Sequence, residues 1–323
     1  MKSSKNVLVT GGAGYVGSAV CEALVSAGHH VVVLDNLSSG FHSLLSENST
    51  FYSGSYGSYD GVMEIIRNEQ VSAVVHCAAK SLVKDSVENP IEYYRVNVSE
   101  SIELLRAMVD SGIKEFIFSS SAAVYGQPQS SPISEEFALS PINPYGETKV
   151  AFERALQAAS NAHGIKSVAF RYFNVAGATE ASSELHVNET HLIPRMVESA
   201  RTGAEFTAFG DDYETPDGSA VRDYVHVADI ADAHVRALDY FDAKQSSGFI
   251  AMNIGSGVGT SVFDAAQEIG NQLARDPELI NVVIKNRREG DPASLVANVS
   301  LAEKTLGWKP TRSTISQIIK SIT

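Results

Sequence analysis

Cysteine is scarce: the 323 residues hold two, Cys21 and Cys77. Two thiols cannot staple a chain of this length, so a disulfide scaffold is excluded and a reducing compartment is expected. Neither thiol has a Cys-x-x-Cys or His-x-x-x-His partner nearby, so His76-Cys77 reads as packing and cofactor lining, with no metal. Basic residues are in deficit too, with 25 Lys+Arg against 38 Asp+Glu and a net charge of −13. That balance argues against a nucleic-acid binder, although a few local arginines can still hold a small diphosphate. Long apolar runs are missing. Nothing approaches the roughly 20 residues of a membrane span, and the run Asn6-Val-Leu-Val-Thr10 is too short for a secretory signal. No membrane contact is expected, and the cytoplasm is the expected compartment. Internal repeats, low-complexity tracts and long linkers are also absent.

What is present is a 44% hydrophobic chain, enough for a sizeable core. The first half alternates apolar β-branched runs (Val7–Val9, Val31–Leu34, Ala73–Val75, Glu115–Phe118, Ser167–Phe170) with helical patterns (Tyr15–Ala27, Tyr59–Asn68, Ile91–Ser111, Tyr145–Ala162). Runs that are apolar throughout imply strands buried on both faces. Strand–helix alternation then implies an α/β fold with a doubly wound parallel sheet. After about Gly177 the rhythm breaks. Residues Ala178–His191 read as a polar loop, and turn residues cluster at Gly210–Ser219 and Gly290–Pro292. The expectation is a nucleotide-binding domain over 1–176 and a smaller α/β substrate lobe over 177–323. One or two segments of the lobe should return to the first sheet.

The first strand runs into Gly11-Gly12-Ala13-Gly14-Tyr15-Val16-Gly17, followed by a helix pattern. A lone glycine motif marks an ordinary turn as readily as a ligand site. Between a buried strand and a helix start it marks a dinucleotide cradle, where small residues admit a pyrophosphate and the helix N-terminus faces it. The second strand ends in Asp35, whose carboxylate can accept from the adenine-ribose hydroxyls and would repel the extra phosphate of NADP. Asn36-Leu37-Ser38-Ser39 offers no compensating cation, so NAD is the expected cofactor.

Downstream, the strand Glu115–Phe118 leads into Ser119-Ser120-Ser121, and Asn143-Pro144-Tyr145-Gly146-Glu147-Thr148-Lys149 follows. Tyr145 and Lys149 are spaced i, i+4 and share a helix face. An ammonium beside a phenol favours the phenolate, so Tyr145 is a candidate general base tuned by Lys149. A strand-end serine could bridge that base and a substrate hydroxyl. Alone, a Tyr-x-x-x-Lys pair is more often an exposed surface pair; the serine strand and the glycine motif together make it specific.

These features resemble the extended short-chain dehydrogenase/reductase family. Within it, His76-Cys77-Ala78-Ala79, Phe118-Ser-Ser-Ser-Ala-Ala-Val-Tyr-Gly126, Arg171-Tyr-Phe-Asn-Val-Ala-Gly177, Val221-Arg-Asp-Tyr-Val-His-Val227 and Arg287-Arg288-Glu289-Gly290-Asp291 resemble the UDP-galactose 4-epimerases along essentially the whole chain. The resemblance implies a reversible inversion at C4 of UDP-glucose and UDP-galactose through a 4-keto sugar, with transient hydride transfer to tightly held NAD. It implies Tyr145 as base, Lys149 on the nicotinamide ribose and Ser121 on the reacting hydroxyl. It places Gly11, Gly14, Tyr15, Val16, Gly17, Asp35, Asn36, Ala78, Asn97, Ser119, Tyr172 and Phe173 at the cofactor, together with Tyr145 and Lys149. It places Asn174, His191, Leu192, Phe209, Arg222, Arg288, Asp291 and Leu295 at the UDP-sugar. A homodimer formed through helices near Ile91–Ser111 and Tyr145–Ala162 is implied as well.

The chain departs from the family pattern twice. Many relatives carry an acidic residue in the third-strand loop that contacts adenine, whereas this loop reads Ser53-Gly54-Ser55-Tyr56. Lys80 stands one position off the register of a lysine some relatives carry, with Ser81 in its place, so it is left out of the site. Rival readings are an N-acetylglucosamine 4-epimerase, a nucleotide-sugar dehydratase or decarboxylase, and a non-catalytic NAD-binding protein. Dehydratases carry an Asp-Glu pair where this chain has Ala122-Ala123, and non-catalytic relatives lose the tyrosine or the lysine, both kept here.

Overall fold

The computed structural model describes residues 4–183, 191–242, 248–273, 280–288 and 291–323. The predicted alternation is present as β1 (Asn6–Thr10), β2 (His30–Asp35), β3 (Ser49–Ser53), β4 (Ala73–His76), β5 (Glu115–Ser121) and β6 (Lys166–Tyr172). Between them run α1 (Tyr15–Ser26), α2 (Tyr59–Asn68), α3 (Val83–Glu88), α4 (Pro90–Tyr94), α5 (Ser101–Asp110) and α6 (Pro144–His163). The six strands pair in parallel in the order 3-2-1-4-5-6. The winding reverses between β1 and β4, so the glycine turn after β1 opens at the switch point where such sheets bind ligands.

Later elements are β7 (Asn174–Ala176), α7 (Leu192–Thr202), β8 (Phe206–Phe209), β9 (Val221–His226), α8 (Val227–Asp242), β10 (Phe249–Ile254), β11 (Gly259–Ser261), α9 (Val262–Leu273), β12 (Val282–Lys285), β13 (Ser294–Leu295), α10 (Ser300–Leu306) and α11 (Ile315–Ile322). Two of them return to the first sheet. β10 pairs β6 as a seventh parallel strand, and α8 packs on α1. β9 anchors a smaller sheet between β11 and β13 and also pairs β7. Of the predicted polar loop, residues 178–183 carry no helix or strand, and 184–190 lie outside the described residues, as do Glu289 and Gly290.

The large sheet is buried on both faces, as its apolar strands require. One face packs Val7, Val9, Val31, Val33 and Val75 against α1 and α8; the other packs Leu8, Val32, Val74, Phe116 and Phe118 against α2, α5 and α6. A third cluster joins α7, α9 and α11 over the smaller sheet. The C-terminal segment is tied down by buried Asp229, which accepts from the Thr311 and Arg312 N–H groups at 3.0 and 2.8 Å, while Trp308 Nε1 donates to its carbonyl at 2.8 Å.

The stretch predicted as one helix over Ile91–Ser111 is interrupted. Residues Arg95–Glu100 form a π turn between α4 and α5. The extra residue turns Asn97 inward, where it is buried and bound to Lys80 and Thr148. Such π turns recur at functional sites.

Candidate functional site

The glycine turn is shaped by contacts that only glycine allows. Gly11 has φ +74°, and a Cβ there would stand 2.6 Å from the Ala78 backbone; a Cβ on Gly17 would stand 2.0 Å from the Gly11 carbonyl oxygen. No side chain caps α1, and its first turn holds no acidic residue, so its positive end opens at the glycine turn. Asp35, buried at the end of β2, accepts from the Ala13 N–H at 3.0 Å and the Leu37 N–H at 2.8 Å. The carboxylate thus fixes the glycine turn as well as closing β2, and its remaining lone pairs can accept from ribose hydroxyls. Asn36 is exposed beside it, its Oδ1 accepting from the Ser38 N–H at 3.0 Å. These features fit a dinucleotide: a cradle too tight for side chains, a helix end, and a carboxylate at ribose position.

At the other side of the switch point, the ends of β5 and β6 and the first turns of α6 converge. Asn143 caps α6 by accepting from the Gly146 N–H at 2.8 Å, and Pro144 fills its first position. A Cβ on Gly146 would stand 2.6 Å from the Ala123 carbonyl oxygen, so glycine lets α6 close against the serine strand. Lys149 is buried and donates to the Ser119 carbonyl at 2.8 Å, with Nζ 4.8 Å from the Phe118 ring centroid and 5.6 Å from that of Tyr145. Burial pushes Lys149 down to about 8, against the pull of Cys77 and Glu153.

Tyr145 departs from expectation. Burial raises its phenol above the ordinary value, and the opposing effect comes from a hydrogen bond with Ser121, not from Lys149. The lysine's head is held by the Ser119 carbonyl and stands 5.6 Å from the Tyr145 ring centroid, while the strand-end serine lowers the phenol directly. Ser121 also accepts from the Ala123 N–H at 3.2 Å.

Behind these residues lie two buried polar chains. His234 Nδ1 lies 2.9 Å from the Ile230 carbonyl, so it carries the proton and Nε2 accepts from Tyr172 at 2.9 Å. Tyr172 then accepts from Ser119 at 3.0 Å. Burial drives the Tyr172 phenol well above its usual range, so it stays a neutral spacer. In the second chain Ser120 donates to Glu153, which pairs with Arg171 at 2.6 Å, both buried. Arg171 donates to Tyr125 at 2.9 Å, and Tyr125 donates to Asn253 at 2.7 Å. The sequence reading missed this ion pair. Its signal was there: an arginine directly after the apolar run Val168–Phe170 of β6, and a glutamate four residues beyond Lys149.

His76 is a core residue. Ser101 gives its one proton to the Asn97 carbonyl, so it accepts from His76 Nε2 at 2.8 Å, and Nδ1 accepts from Thr10 at 2.6 Å. Phe116, Phe118, Phe152 and Tyr56 enclose the ring, and burial drives it down to about 3. Burial pushes the Cys77 thiol up to about 11. Among the described residues no group of three His, Cys, Asp or Glu is placed to hold a metal ion, and no helix is long and apolar enough to cross a membrane.

The residues expected at the UDP-sugar gather around β9. Register sets Leu295 beside Arg222 and Asn174 beside Tyr224. Arg222 pairs with Asp291 through Nη2 and donates from Nη1 to the Val221 and Pro292 carbonyls at 2.8 and 3.0 Å, so three of its five N–H donors are engaged in these contacts. Arg222-Asp223 is therefore no surface ion pair. Asp223 is buried on its own and accepts from the N–H groups of Ser256, Gly257 and Ala297. Arg288 stacks with its Cζ 4.0 Å from the Phe209 ring centroid, while Arg287 is engaged by Asp212 and Tyr213. Leu295 is half-buried against a cluster that includes Val124 and Phe173. Asn174 and His191 are exposed, His191 at the start of α7 with Leu192 next to it. Tyr15 donates to the Gly177 carbonyl, and Ser182 to the Tyr15 carbonyl at 2.6 Å, so the cofactor cradle is tied to the start of the second half.

Residues 7–255 match the family model for the NAD dependent epimerase/dehydratase family. The chain belongs to this family. It is 45% identical over 316 residues to a UDP-glucose 4-epimerase of Lactobacillus helveticus, covering 97% of this chain and 94% of that one. Its structure is similar to that of a UDP-glucose 4-epimerase from Brucella ovis in complex with NAD, with TM-score 0.93 and 41% identity over 98% of this chain and 97% of the other. It is also similar to a UDP-glucose-4-epimerase from Stenotrophomonas maltophila with bound NAD and formylated UDP-arabinopyranose, with TM-score 0.93 and 35% identity over 98% and 96% of the two chains. Family members thus share both halves of the chain.

Proposed function

We propose that this family member interconverts UDP-glucose and UDP-galactose by inverting C4, with NAD as a resident cofactor. The observation that carries the reading is the convergence of Ser121, Tyr145 and Lys149 at the switch point, opposite an arginine-bearing second half. Near-full-length similarity to proteins named for this activity supports it. Bound NAD supplies a hydride acceptor that also gives the hydride back, so the reaction has no net redox change. Tyr145 takes the C4 hydroxyl proton and returns it. Ser121 aligns that hydroxyl and holds the phenol. Lys149, braced on the Ser119 carbonyl, sets the position of the nicotinamide ribose. Asp35 and the cation-free Asn36–Ser39 segment favour NAD over NADP.

In this reading residues 1–176 hold the dinucleotide, and Tyr172 and Phe173 line the nicotinamide end. Residues 177–323 hold the UDP-sugar, apart from α8 and β10. Arg222 and Arg288 grip the diphosphate, Phe209 and His191-Leu192 the nucleoside, and Asp291 a ribose hydroxyl. Firm grip on the nucleotide with few polar contacts to the sugar lets a 4-keto sugar turn over in place. We place the chain in the cytoplasm as a homodimer. The supporting feature is an exposed apolar patch on α3 to α5 that includes Val83, Val87 and Ile91, the last 84% exposed. Ile91→Asp should yield a monomer in sedimentation; an unchanged dimer removes this face.

The deciding experiment incubates the purified protein with UDP-galactose and with its 2-acetamido analogue and separates the products by chromatography. UDP-glucose should form from the first. No interconversion of either sugar sinks the activity, and release of NADP alone from the denatured protein sinks the cofactor assignment.

A further inference from the structure

The loop after β3 lacks the carboxylate expected at the adenine, and the structure supplies another. β2 and β3 pair so that Asp35 stands beside Ser53, and the Gly54 N–H donates to the Asp35 carbonyl at 3.1 Å. Gly54-Ser55 is therefore the next surface beyond the ribose carboxylate. A dinucleotide with its pyrophosphate at α1 and its ribose on Asp35 must place its base there, at the C-terminal ends of β2 and β3. The Ser53-Gly54-Ser55-Tyr56-Gly57 loop has no acidic or amide side chain. Tyr56 is turned away, its hydroxyl on the Val96 carbonyl at 2.9 Å and its ring against His76.

Into this position comes Glu100, from the π turn. Ser55 donates to Glu100 Oε2 at 2.8 Å, and Arg95 pairs with Oε1. The approach depends on glycine: a Cβ on Gly57 would stand 2.5 Å from Glu100 Cγ and 2.8 Å from its Cβ. Ser55 has its proton committed to Glu100 and accepts from the Gly57 N–H at 3.1 Å, so it has no donor and little acceptor capacity left. Each carboxylate oxygen of Glu100 keeps a second lone-pair site. Asn97 and Glu100 are three residues apart, and the π turn aims both at the crevice: Asn97 at the loop after β4, Glu100 at the loop after β3.

We propose that Glu100 replaces the missing loop acid and accepts a hydrogen bond from the 6-amino group of adenine, with Ser55 and Arg95 as its supports. The proposal rests on the cofactor reading given above. A charge-assisted hydrogen bond of this kind should discriminate between purines by their 6-substituent. A strut that merely holds the loop would not.

The test equilibrates the holoenzyme with an equimolar excess of NAD and nicotinamide hypoxanthine dinucleotide, in which the amino donor is replaced by a carbonyl acceptor. Bound dinucleotides are released by denaturation and quantified by chromatography. The wild type should retain NAD by roughly tenfold or more, the discrimination of one charge-assisted bond. Glu100→Gln keeps the size and an acceptor for Ser55 but gains an amide donor, so the ratio should fall to near one or below. Glu100→Ala should also lose the preference, which covers the case in which the glutamine variant does not fold. An unchanged ratio in either folded variant, or no preference in the wild type, overturns the proposal. Asp35→Ala tests the placement separately: it should weaken retention of both dinucleotides and leave their ratio intact. Full retention in Asp35→Ala would remove the ribose from Asp35 and the proposal with it.

Discussion

The two walls of the crevice are built differently. On the wall formed by β5, α6 and β6, the polar groups behind the reacting residues are buried and their protons are assigned one by one. Ser119 donates a hydrogen bond to Tyr172 and Tyr172 donates one to His234, while Ser120, Arg171 and Tyr125 converge on Glu153 and Asn253. On the opposite wall, which takes in β7, β8, β9 and the start of α7, several groups assigned to the ligand are nearer to solvent than buried Arg222: Arg288 is exposed over Phe209, and Asn174 and His191 are exposed. A base must be within about 2.6–3.2 Å of the atom that bears its proton and held there to about 0.5 Å, and buried networks of satisfied hydrogen bonds hold that geometry. A diphosphate is gripped well by guanidinium forks that adjust to it. Under the proposed assignment, the difference teaches that precision is concentrated where bonds would break, and tolerance where charge would be held.

The sharpest way to break this contrast is to remove one functional atom from each wall. Tyr145→Phe deletes the proton acceptor and keeps the ring, so kcat should fall about 10²–10⁴-fold, the usual cost of losing a general base, while NAD is retained. Arg288→Ala on the other wall should raise KM several-fold and leave kcat nearly unchanged, because it removes binding common to ground and transition states. Steady-state kinetics with UDP-galactose checks both. A Tyr145→Phe enzyme within a few-fold of the wild type would end the base assignment, and a kcat loss in Arg288→Ala equal to that of Tyr145→Phe would erase the contrast itself.

The two walls were also unequally legible. β1 and β4 carry unbroken apolar runs, Val7–Val9 and Ala73–Val75, because both faces are covered there, and that pattern shows in the chain as plainly as in the fold. The cofactor cradle could be read because glycine is the only residue its close approaches allow. What could not be read depends on distant partners. The i, i+4 spacing put Tyr145 and Lys149 on one face but could not show that the Lys149 head goes to the Ser119 carbonyl and Ser121 to the phenol. The helical pattern over Ile91–Ser111 hid a π turn, because one inserted residue barely alters hydrophobic periodicity yet re-aims Asn97 and Glu100. Arg222 and Asp223 are adjacent in sequence, but successive residues on a strand face opposite ways, and the two side chains serve different loops.

Leu295 stands where the walls meet, and it can sharpen the comparison. Its half-buried side chain packs toward Val124 and Phe173 on the catalytic side while its backbone pairs with β9 on the other. A leucine there should exclude a 2-acetamido group by overlap, so UDP-galactose should be preferred over its N-acetyl analogue. Leu295→Ser should raise the N-acetyl to plain-sugar ratio of kcat/KM roughly tenfold, in the range of pocket-size discrimination. If Leu295 only fills the core, truncation costs stability, about 2–5 kcal/mol by analogy with buried leucines, and harms both sugars alike. An unchanged ratio therefore takes Leu295 out of the sugar pocket, and equal wild-type rates on both sugars end the proposed preference.

The smallest expected effect concerns the precise wall's dependence on neutral histidines. His76 is held down to about 3 and His234 to about 4, in both cases chiefly by burial. For such a group the folded form stays neutral while the unfolded chain takes up a proton below its ordinary value of 6.5. The stability each contributes is therefore fully present above pH 6.5 and is lost progressively as pH falls toward the folded value. Between pH 6.5 and 5.5 carboxylates near their ordinary values of 3.8 to 4.5 add little to the slope, and Glu135 and Asp223, which burial raises, are common to wild type and variant. In that window each histidine should remove roughly 1 kcal/mol. His76→Asn keeps a polar group between Thr10 and Ser101 and cannot be protonated, so the variant should start less stable but lose less on acidification. Tm measured across the window should fall less steeply than in the wild type. A His76→Asn slope identical to the wild type would mean that the ring is reached by protons in the folded state, and the picture of a sealed catalytic wall would fail at its centre.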